Sequence, residues 1–179
     1  MTDPVTAGMT VAIRQARSAD VQVLPAVERD AGRSFLAIPD LAWIARDEVT
    51  SAEEHLAQIA AGTIWVADDA AAGVVGFLTA EVIGNELHIW EMAVLRGFQQ
   101  RGVGARLLAA VADHGRVVGL AGITLTTFRY VAWNAPFYAR NGFEIANSAG
   151  IDPRLAELLR READRGMPRR CAMRQSLAV

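Results

Sequence analysis

The chain has 179 residues, a length typical of a single domain. Hydrophobic residues make up 52% and charged residues 21% of it, which argues against wholesale disorder. The net charge is −2, and all 18 basic residues are arginine, so no broad basic surface indicates nucleic acid as a partner.

Cysteine, histidine and hydropathy patterns exclude further classes of protein. Cys171 is the only cysteine, so an internal disulfide is impossible and the chain suits a reducing compartment. The three histidines are scattered, and no spacing resembles a metal site. No apolar run approaches the roughly 20 residues of a spanning helix, so no membrane partner is expected. Residues 1–8 lack signal-peptide features; we predict a flexible tail there, a domain over 9–179 and a cytoplasmic location.

The first half of the chain predicts two helices and a three-stranded meander. A strand is expected at 10–16, and a helix over 18–35 has Ser18 and Asp20 as capping candidates. A second helix over 51–61 begins with a capping box of Ser51 and Glu54. Three strands follow, separated by turn residues, at 63–68, 73–83 and 86–95.

The second half alternates helices and strands. Helices are predicted over 102–117, 135–141 and 152–165, and strands over 122–127, 142–147 and 170–177. This order indicates one α/β domain built on a mixed, mostly antiparallel twisted sheet of about seven strands, with helices on both faces.

The loop before the third long helix is the most informative segment. The strand that ends near Leu95 leads into a loop that places Gly102 and Gly104 in the first turn of a helix. Free N–H groups at a helix start bind anions, and glycine lets phosphate oxygens approach the backbone. Arg101 and Arg106 can add positive charge at the rim. A second interpretation remains open, in which both glycines only allow tight packing of the helix on the sheet.

Two motifs together resemble those of the GNAT family of N-acetyltransferases. The segment Gln99-Gln100-Arg101-Gly102-Val103-Gly104-Ala105 is similar to the family's Q/R-x-x-G-x-G/A signature. The segment from Asn134 to Phe143 resembles the family's N-x-x-x-F-Y-x-x-x-G-F pattern. With the order of strands, the resemblance extends over about residues 10–178.

The resemblance implies acetyl-CoA as co-substrate and no metal. The strand over 87–95 would separate from its neighbour, so that its backbone pairs with the pantetheine amides, and the glycine loop would hold the pyrophosphate. The implied cofactor-binding residues are Met92, Val94, Gln99, Gln100, Arg101, Gly102, Val103, Gly104, Ala105, Arg106, Asn134 and Phe137. Many members carry asparagine where this chain has Val131, so Asn134 either takes over a cofactor contact or caps the short helix.

Two residues carry the acid and base chemistry that the resemblance implies. Tyr138 would donate a proton to the departing thiolate, because a phenol stays protonated at neutral pH. An amine must be neutral to attack, so a base is expected, and Glu91 is the first candidate. Strand alternation predicts that Glu91 faces away from Met92 and Trp90, so that only one side points into the acceptor cleft. An exposed or ion-paired glutamate is the alternative for Glu91.

The acceptor is the least defined part. Aromatic residues that could surround a cationic or aromatic amine are Phe35, Trp43, Trp90, Phe128 and Trp133, with packing in the core as the alternative for them. Glu28 is a further acceptor-side carboxylate and a second candidate base. The expected acceptor is a primary amine on a small molecule or peptide, bound by a monomer or homodimer. The alternatives are a non-catalytic acyl-CoA sensor or partner-binding module on the same fold, and an α/β domain that binds another phosphate ligand.

Overall fold

A seven-stranded sheet forms the centre of the structure, a computed structural model that describes residues 11–146 and 151–177. The strands are β1 (Val11–Gln15), β2 (Ile64–Asp69), β3 (Gly73–Ile83), β4 (Glu86–Val94), β5 (Gly122–Phe128), β6 (Glu144–Ile145) and β7 (Arg170–Ser176). Their order is β1-β2-β3-β4-β5-β7-β6, and every pairing is antiparallel except β4 with β5. The predicted mixed, mostly antiparallel sheet is confirmed.

Five α-helices among the described residues cover the two faces of this sheet. They are α1 (Leu24–Gly32), α2 (Ala52–Ala60), α3 (Val103–Val117), α4 (Ala135–Arg140) and α5 (Pro153–Asp164). Leu107 and Val111 of α3 pack in one apolar cluster with Leu78, Leu87 and Ile123 of the sheet; Tyr138 of α4 belongs to the same cluster. We call this side the α3 face.

The opposite side, the α1 face, has its own apolar cluster. Leu24 and Val27 of α1 pack there against Val66, Phe77 and Ala93. Helix α5 lies on this face too, because the side chains of Thr124 and Thr126, which bond to α5, alternate along β5 with residues of the α3-face cluster.

Local sequence signals fix α2 as predicted. Its N-cap is Ser51, whose hydroxyl accepts a hydrogen bond from the Glu54 N–H at 3.3 Å, and the Glu54 carboxylate accepts one from the Ser51 N–H at 2.8 Å. This reciprocal arrangement satisfies two donors that the helix itself leaves unpaired.

Two predicted elements are shorter than expected. The helix over 18–35 reduces to α1, with 3-10 turns at Ser18–Asp20 and Arg33–Ala37 on either side. Asp20 does not cap α1, because its carboxylate binds Arg14 at 2.7 Å and accepts a bond from the Arg17 N–H. The strand over 142–147 reduces to β6, with residue 147 outside the described residues. The tail at 1–8 also lies outside them.

The sheet opens between its two central strands. β4 and β5 pair through four positions, from Glu86 with Gly122 to Ile89 with Leu125. Beyond Ile89, β4 continues to Val94 along β3 alone. The sheet therefore has a gap, bordered by the second half of β4 and the end of β5.

Candidate active site

The edge of β4 turns backbone N–H and C=O groups towards this gap. The Leu95 N–H donates to the Val75 carbonyl of β3 at 2.9 Å, so the groups of Leu95 face β3. Because successive residues of a strand turn their N–H and C=O groups to opposite sides, those of Val94 and Met92 face the gap. These are the two residues whose backbone, according to the resemblance to the GNAT family, would pair with the pantetheine amides.

Gln99 closes one end of that edge. Its side-chain amide donates to the Val94 carbonyl at 3.0 Å, which shows that this carbonyl points away from β3. Gln99 therefore holds the loop after β4 against the border of the gap. Its contact with the site is the hydrogen bond to Val94.

The loop then forms a concave turn at the start of α3. Gln100 and Gly102 both have positive φ, at 59° and 80°, with Arg101 between them. Gly102 is the N-cap of α3 and offers no side-chain cap, so its first N–H groups are available to a ligand. A Cβ at Gly102 would meet nothing within 4 Å. The glycine is therefore required by its left-handed backbone, and the space beside it is open.

Gly104 serves a different purpose. A Cβ there would lie 3.2 Å from Cζ of Phe137 and 3.6 Å from Cε of Met92. This glycine allows α3 to pack against α4 and β4, so the packing interpretation holds for Gly104.

Gly104→Val is expected to lower stability by about 1–3 kcal/mol, because the larger side chain must displace the partly buried Phe137 ring. Urea denaturation measures the change. Gly97→Val is the matched control, since a Cβ at Gly97 meets nothing within 4 Å. Wild-type stability together with weakened CoA binding would instead assign Gly104 a role in binding the pyrophosphate.

Glu91 lies on the opposite side of β4 from Met92. It pairs with Thr79, and Met92 with Leu78, whose side chain belongs to the α3-face cluster. Glu91 therefore points to the α1 face, as the alternation predicted.

Trp90 does not follow that alternation. The register shifts between Thr79 and Ala80, so Trp90 is the unpaired residue of a β-bulge and shares the α1 face with Glu91. Its ring lies 4.5 Å from that of His88, and its Nε1–H donates to Glu81 at 2.9 Å. The expectation that Trp90 and Glu91 face opposite sides was wrong.

The surroundings of Glu91 favour the neutral form of its carboxyl group. Burial raises its pKa to about 8, the charge of Glu28 adds to the rise, and Arg170 counteracts it. Burial likewise raises the pKa of Glu28 to about 7, opposed by the hydrogen bond from the Thr50 N–H at 3.1 Å. Two carboxyl groups that titrate near neutral pH therefore lie on the α1 face beside the gap.

Tyr138 approaches the gap from the α3 face. Its ring packs between those of Phe137 and Phe143, with centroid distances of 5.3 and 5.6 Å. Burial, and then the charge of Glu91, raise the pKa of its phenol above the ordinary value. The hydroxyl therefore stays protonated at neutral pH, across the gap from a carboxylate close enough to influence it.

Asn134 stands at the N-cap of α4, yet its side chain forms no capping bond. Its backbone carbonyl accepts from Phe137 and Tyr138 instead. The Oδ1 atom is buried and has no hydrogen-bond partner among the described residues. Of its two possible roles, capping by the side chain is not observed.

Four of the aromatic residues predicted for the acceptor side lie in two separate places. Phe35, Phe128 and Trp133 lie together, with ring centroids 5.7 Å apart for Phe35 and Phe128 and 5.9 Å for Phe35 and Trp133. We call these three rings the aromatic wall. Trp90 lies instead against His88.

Sequence reasoning missed Arg170. Its guanidinium stacks 4.9 Å from the Phe128 ring centroid, and its charge acts on both Glu91 and Tyr138. In the sequence, Arg170 is notable only as the first residue of the last predicted strand. In the structure it pairs with Phe128.

Other features of the described residues lie elsewhere or are absent. Two clefts of about 390 and 410 Å³ border the far end of β4, both lined by Glu86 and Asp152. Across 11–146 and 151–177, no group of His, Cys, Asp and Glu side chains could hold a metal ion. No helix in the described part of the chain has the length and apolar character to cross a membrane.

The chain was compared with known families and solved structures. Residues 60–145 match the acetyltransferase (GNAT) domain family. The PaiA N-acetyltransferase of Thermoplasma acidophilum, in complex with coenzyme A, superposes with a TM-score of 0.68 at 19% identity, covering 94% of this chain and 99% of that one. The ribosomal-protein-S18-alanine N-acetyltransferase of Escherichia coli gives a TM-score of 0.67 at 15% identity, covering 95% and 96%.

A longer protein contains the same fold as a part. N-acetylglutamate synthase of Neisseria gonorrhoeae, complexed with coenzyme A and N-acetylglutamate, matches with a TM-score of 0.66 at 20% identity. The match covers 94% of this chain and 35% of that one. The resemblance to the GNAT family that the two sequence motifs indicated is thereby confirmed for residues 60–145, which contain both motifs.

Proposed function

We propose that this protein is an N-acetyltransferase that moves the acetyl group of acetyl-CoA to a primary amine by direct attack in a ternary complex. The observation that carries the proposal is the gap after Ile89, with the backbone groups of Met92 and Val94 turned into it. An extended pantetheine arm with two amides has the chemistry to pair with such an edge.

Two features beside the gap, the turn before α3 and the side chain of Asn134, fit other parts of acetyl-CoA. The positive-φ turn at Gln100 and Gly102 leads into the start of α3, whose N–H groups and dipole favour a pyrophosphate. The unpartnered Oδ1 of Asn134 is a buried acceptor for an N–H donor of the ligand. Both features support binding of acetyl-CoA along the gap.

The proposed chemistry uses Glu91 and Tyr138 on opposite faces of the gap. The acceptor ammonium loses one proton to Glu91, and the amine nitrogen then bonds to the thioester carbon. The carbon–sulfur bond breaks, and the thiolate takes the Tyr138 proton. The second proton lost by the amine restores the phenol through solvent, so each turnover gives an amide, a thiol and one released proton.

A thermal-shift titration with acetyl-CoA, CoA and ATP tests the co-substrate. A ligand that binds only the folded chain, at 100 times its Kd, adds about 2.7 kcal/mol and raises the melting midpoint. Stabilisation by acetyl-CoA and CoA, with little by ATP, is expected, because ATP lacks the pantetheine arm. No shift with either CoA species would contradict the proposal.

A further inference from the structure

Two carboxyl groups converge on the acceptor side of the gap. Helix α1 crosses β4 so that Leu24 and Val27 pack with Ala93. Glu28 follows Leu24 by one helical turn, and Glu91 precedes Ala93 by two strand residues, so both belong to the same face. Their charges act on each other, and within residues 11–146 and 151–177 neither carboxylate forms an ion pair. A cation between them would relieve their repulsion.

The aromatic wall stands on the other border of the gap. β5 runs three residues beyond Leu125, where its pairing with β4 ends, so Phe128 lies at about the level of Met92. Phe128 alternates with Thr124 and Thr126 and therefore points to the α1 face, like the two carboxyl groups. Trp133 is 42% exposed, so its ring offers apolar surface to a ligand.

The positively charged Arg170, which lies near Glu91, already has an ion-pair partner. The Arg170 guanidinium donates to the Glu162 carboxylate from Nε at 2.6 Å and from Nη2 at 3.0 Å. Nη2 also donates to the Thr126 carbonyl at 2.9 Å. Arg170 is therefore ion-paired with Glu162, and it lowers the pKa of Glu91 less than burial and Glu28 raise it, so Glu28 and Glu91 set the electrostatic preference of the acceptor side.

We propose that the acceptor is a primary amine with an aromatic or bulky apolar body and no negative charge near the nitrogen. Its ammonium group lies between Glu28 and Glu91, and its body lies against the aromatic wall. The proposal rests on the proposed function and narrows it, because an amino acid acceptor would place a carboxylate beside two others.

A panel of matched amines tests this acceptor class at saturating acetyl-CoA, with release of the CoA thiol as the readout. 2-Phenylethylamine represents the class, phenylalanine adds a carboxylate, phenylalaninamide replaces that carboxylate with a neutral group, and ethylamine lacks the ring. We expect kcat/KM for phenylalanine to be lower than for 2-phenylethylamine by roughly tenfold or more, since its carboxylate repels those of Glu28 and Glu91. Phenylalaninamide should recover most of the loss.

Single variants test the carboxyl groups and the aromatic wall separately. Glu28→Gln should narrow the ratio between 2-phenylethylamine and phenylalanine, because one of the repelling charges is removed. Phe35→Ala or Trp133→Ala should raise KM for 2-phenylethylamine while KM for acetyl-CoA is unchanged. Melting midpoints show whether each variant is folded, and the panel on the wild-type chain needs no variant.

The outcomes distinguish the two proposals. If phenylalanine or ethylamine has the same kcat/KM as 2-phenylethylamine, the proposed acceptor class is overturned. Acetyl transfer itself would still stand. Absence of turnover with every aromatic amine, in a chain that acetyl-CoA stabilises, would also overturn the class while the co-substrate is retained. Failure of acetyl-CoA to bind at all would overturn the proposed function itself.

Discussion

Replacement of Glu91 by glutamine is expected to lower kcat/KM by about 100-fold at pH 8, because a general base contributes roughly 10²–10⁴ to the rate. The deficit should shrink towards pH 10, where more of the amine is already neutral. In the wild-type protein, activity should fall as the pH drops below about 8, since a protonated Glu91 cannot accept a proton. The variant should lack this step in its pH profile.

The groups that face Glu91 are Glu28 from α1, Tyr138 from α4 and Arg170 from β7. Titration of Glu28, whose pKa is about 7, overlaps that of Glu91, so the profile reports the pair. Glu144→Gln, which changes an exposed strand glutamate, is the matched control. A small, pH-independent effect of Glu91→Gln would make Glu91 a structural residue.

Glu91→Gln should lower activity but raise the stability of the fold at alkaline pH. The folded-state pKa of Glu91, about 8, lies above its ordinary value of 4.5, so ionisation of Glu91 destabilises the fold as the pH rises through this interval. Glutamine carries no such charge. Glu91→Gln should therefore raise the melting midpoint at pH 8 to 9 and leave it nearly unchanged near pH 4, which circular dichroism can follow.

Tyr138→Phe is expected to reduce kcat by about 100-fold while the Kd for CoA stays close to the wild-type value. Only the hydroxyl is lost, and the ring contacts with Phe137 and Phe143 are retained. Because the pKa of this phenol is raised, its loss of a proton should not limit the wild-type enzyme below about pH 10.

The second tyrosine of the chain supplies the control. Tyr130 is 74% exposed, so Tyr130→Phe should leave both turnover and CoA affinity unchanged. Titration calorimetry gives the CoA affinity, and thiol release gives kcat. Unchanged turnover in Tyr138→Phe would limit this residue to packing, and a weaker Kd with normal kcat would make it a binding residue.

Local signals predicted most of the fold. The Ser51 capping box placed the start of α2, and turn residues placed β3 and β4 to within one residue. The resemblance to the GNAT family also pointed to Met92 and Val94, whose backbone groups the structure turns towards the gap.

Features that depend on contacts between distant segments could not be predicted. The bulge at Trp90 arises from the register between β3 and β4, which no single strand reveals. The packing role of Gly104 depends on Phe137, which lies on another helix. The shortened α1 reflects the use of Asp20 by Arg14 of β1, a tertiary ion pair that replaces the expected helix cap.

The partial pairing of β4 with β5 has a consequence for the dynamics of the sheet. Strands β1–β4 and β5–β7 are joined by only four paired positions, so the two halves of the sheet meet at a short seam. Under the proposed function, bound co-substrate acts as an additional strand across the open part of that seam. The amide protons of Met92 and Val94 should then exchange with solvent deuterium quickly in the free chain and slowly in the complex, so that each round of catalysis closes and reopens the middle of the sheet.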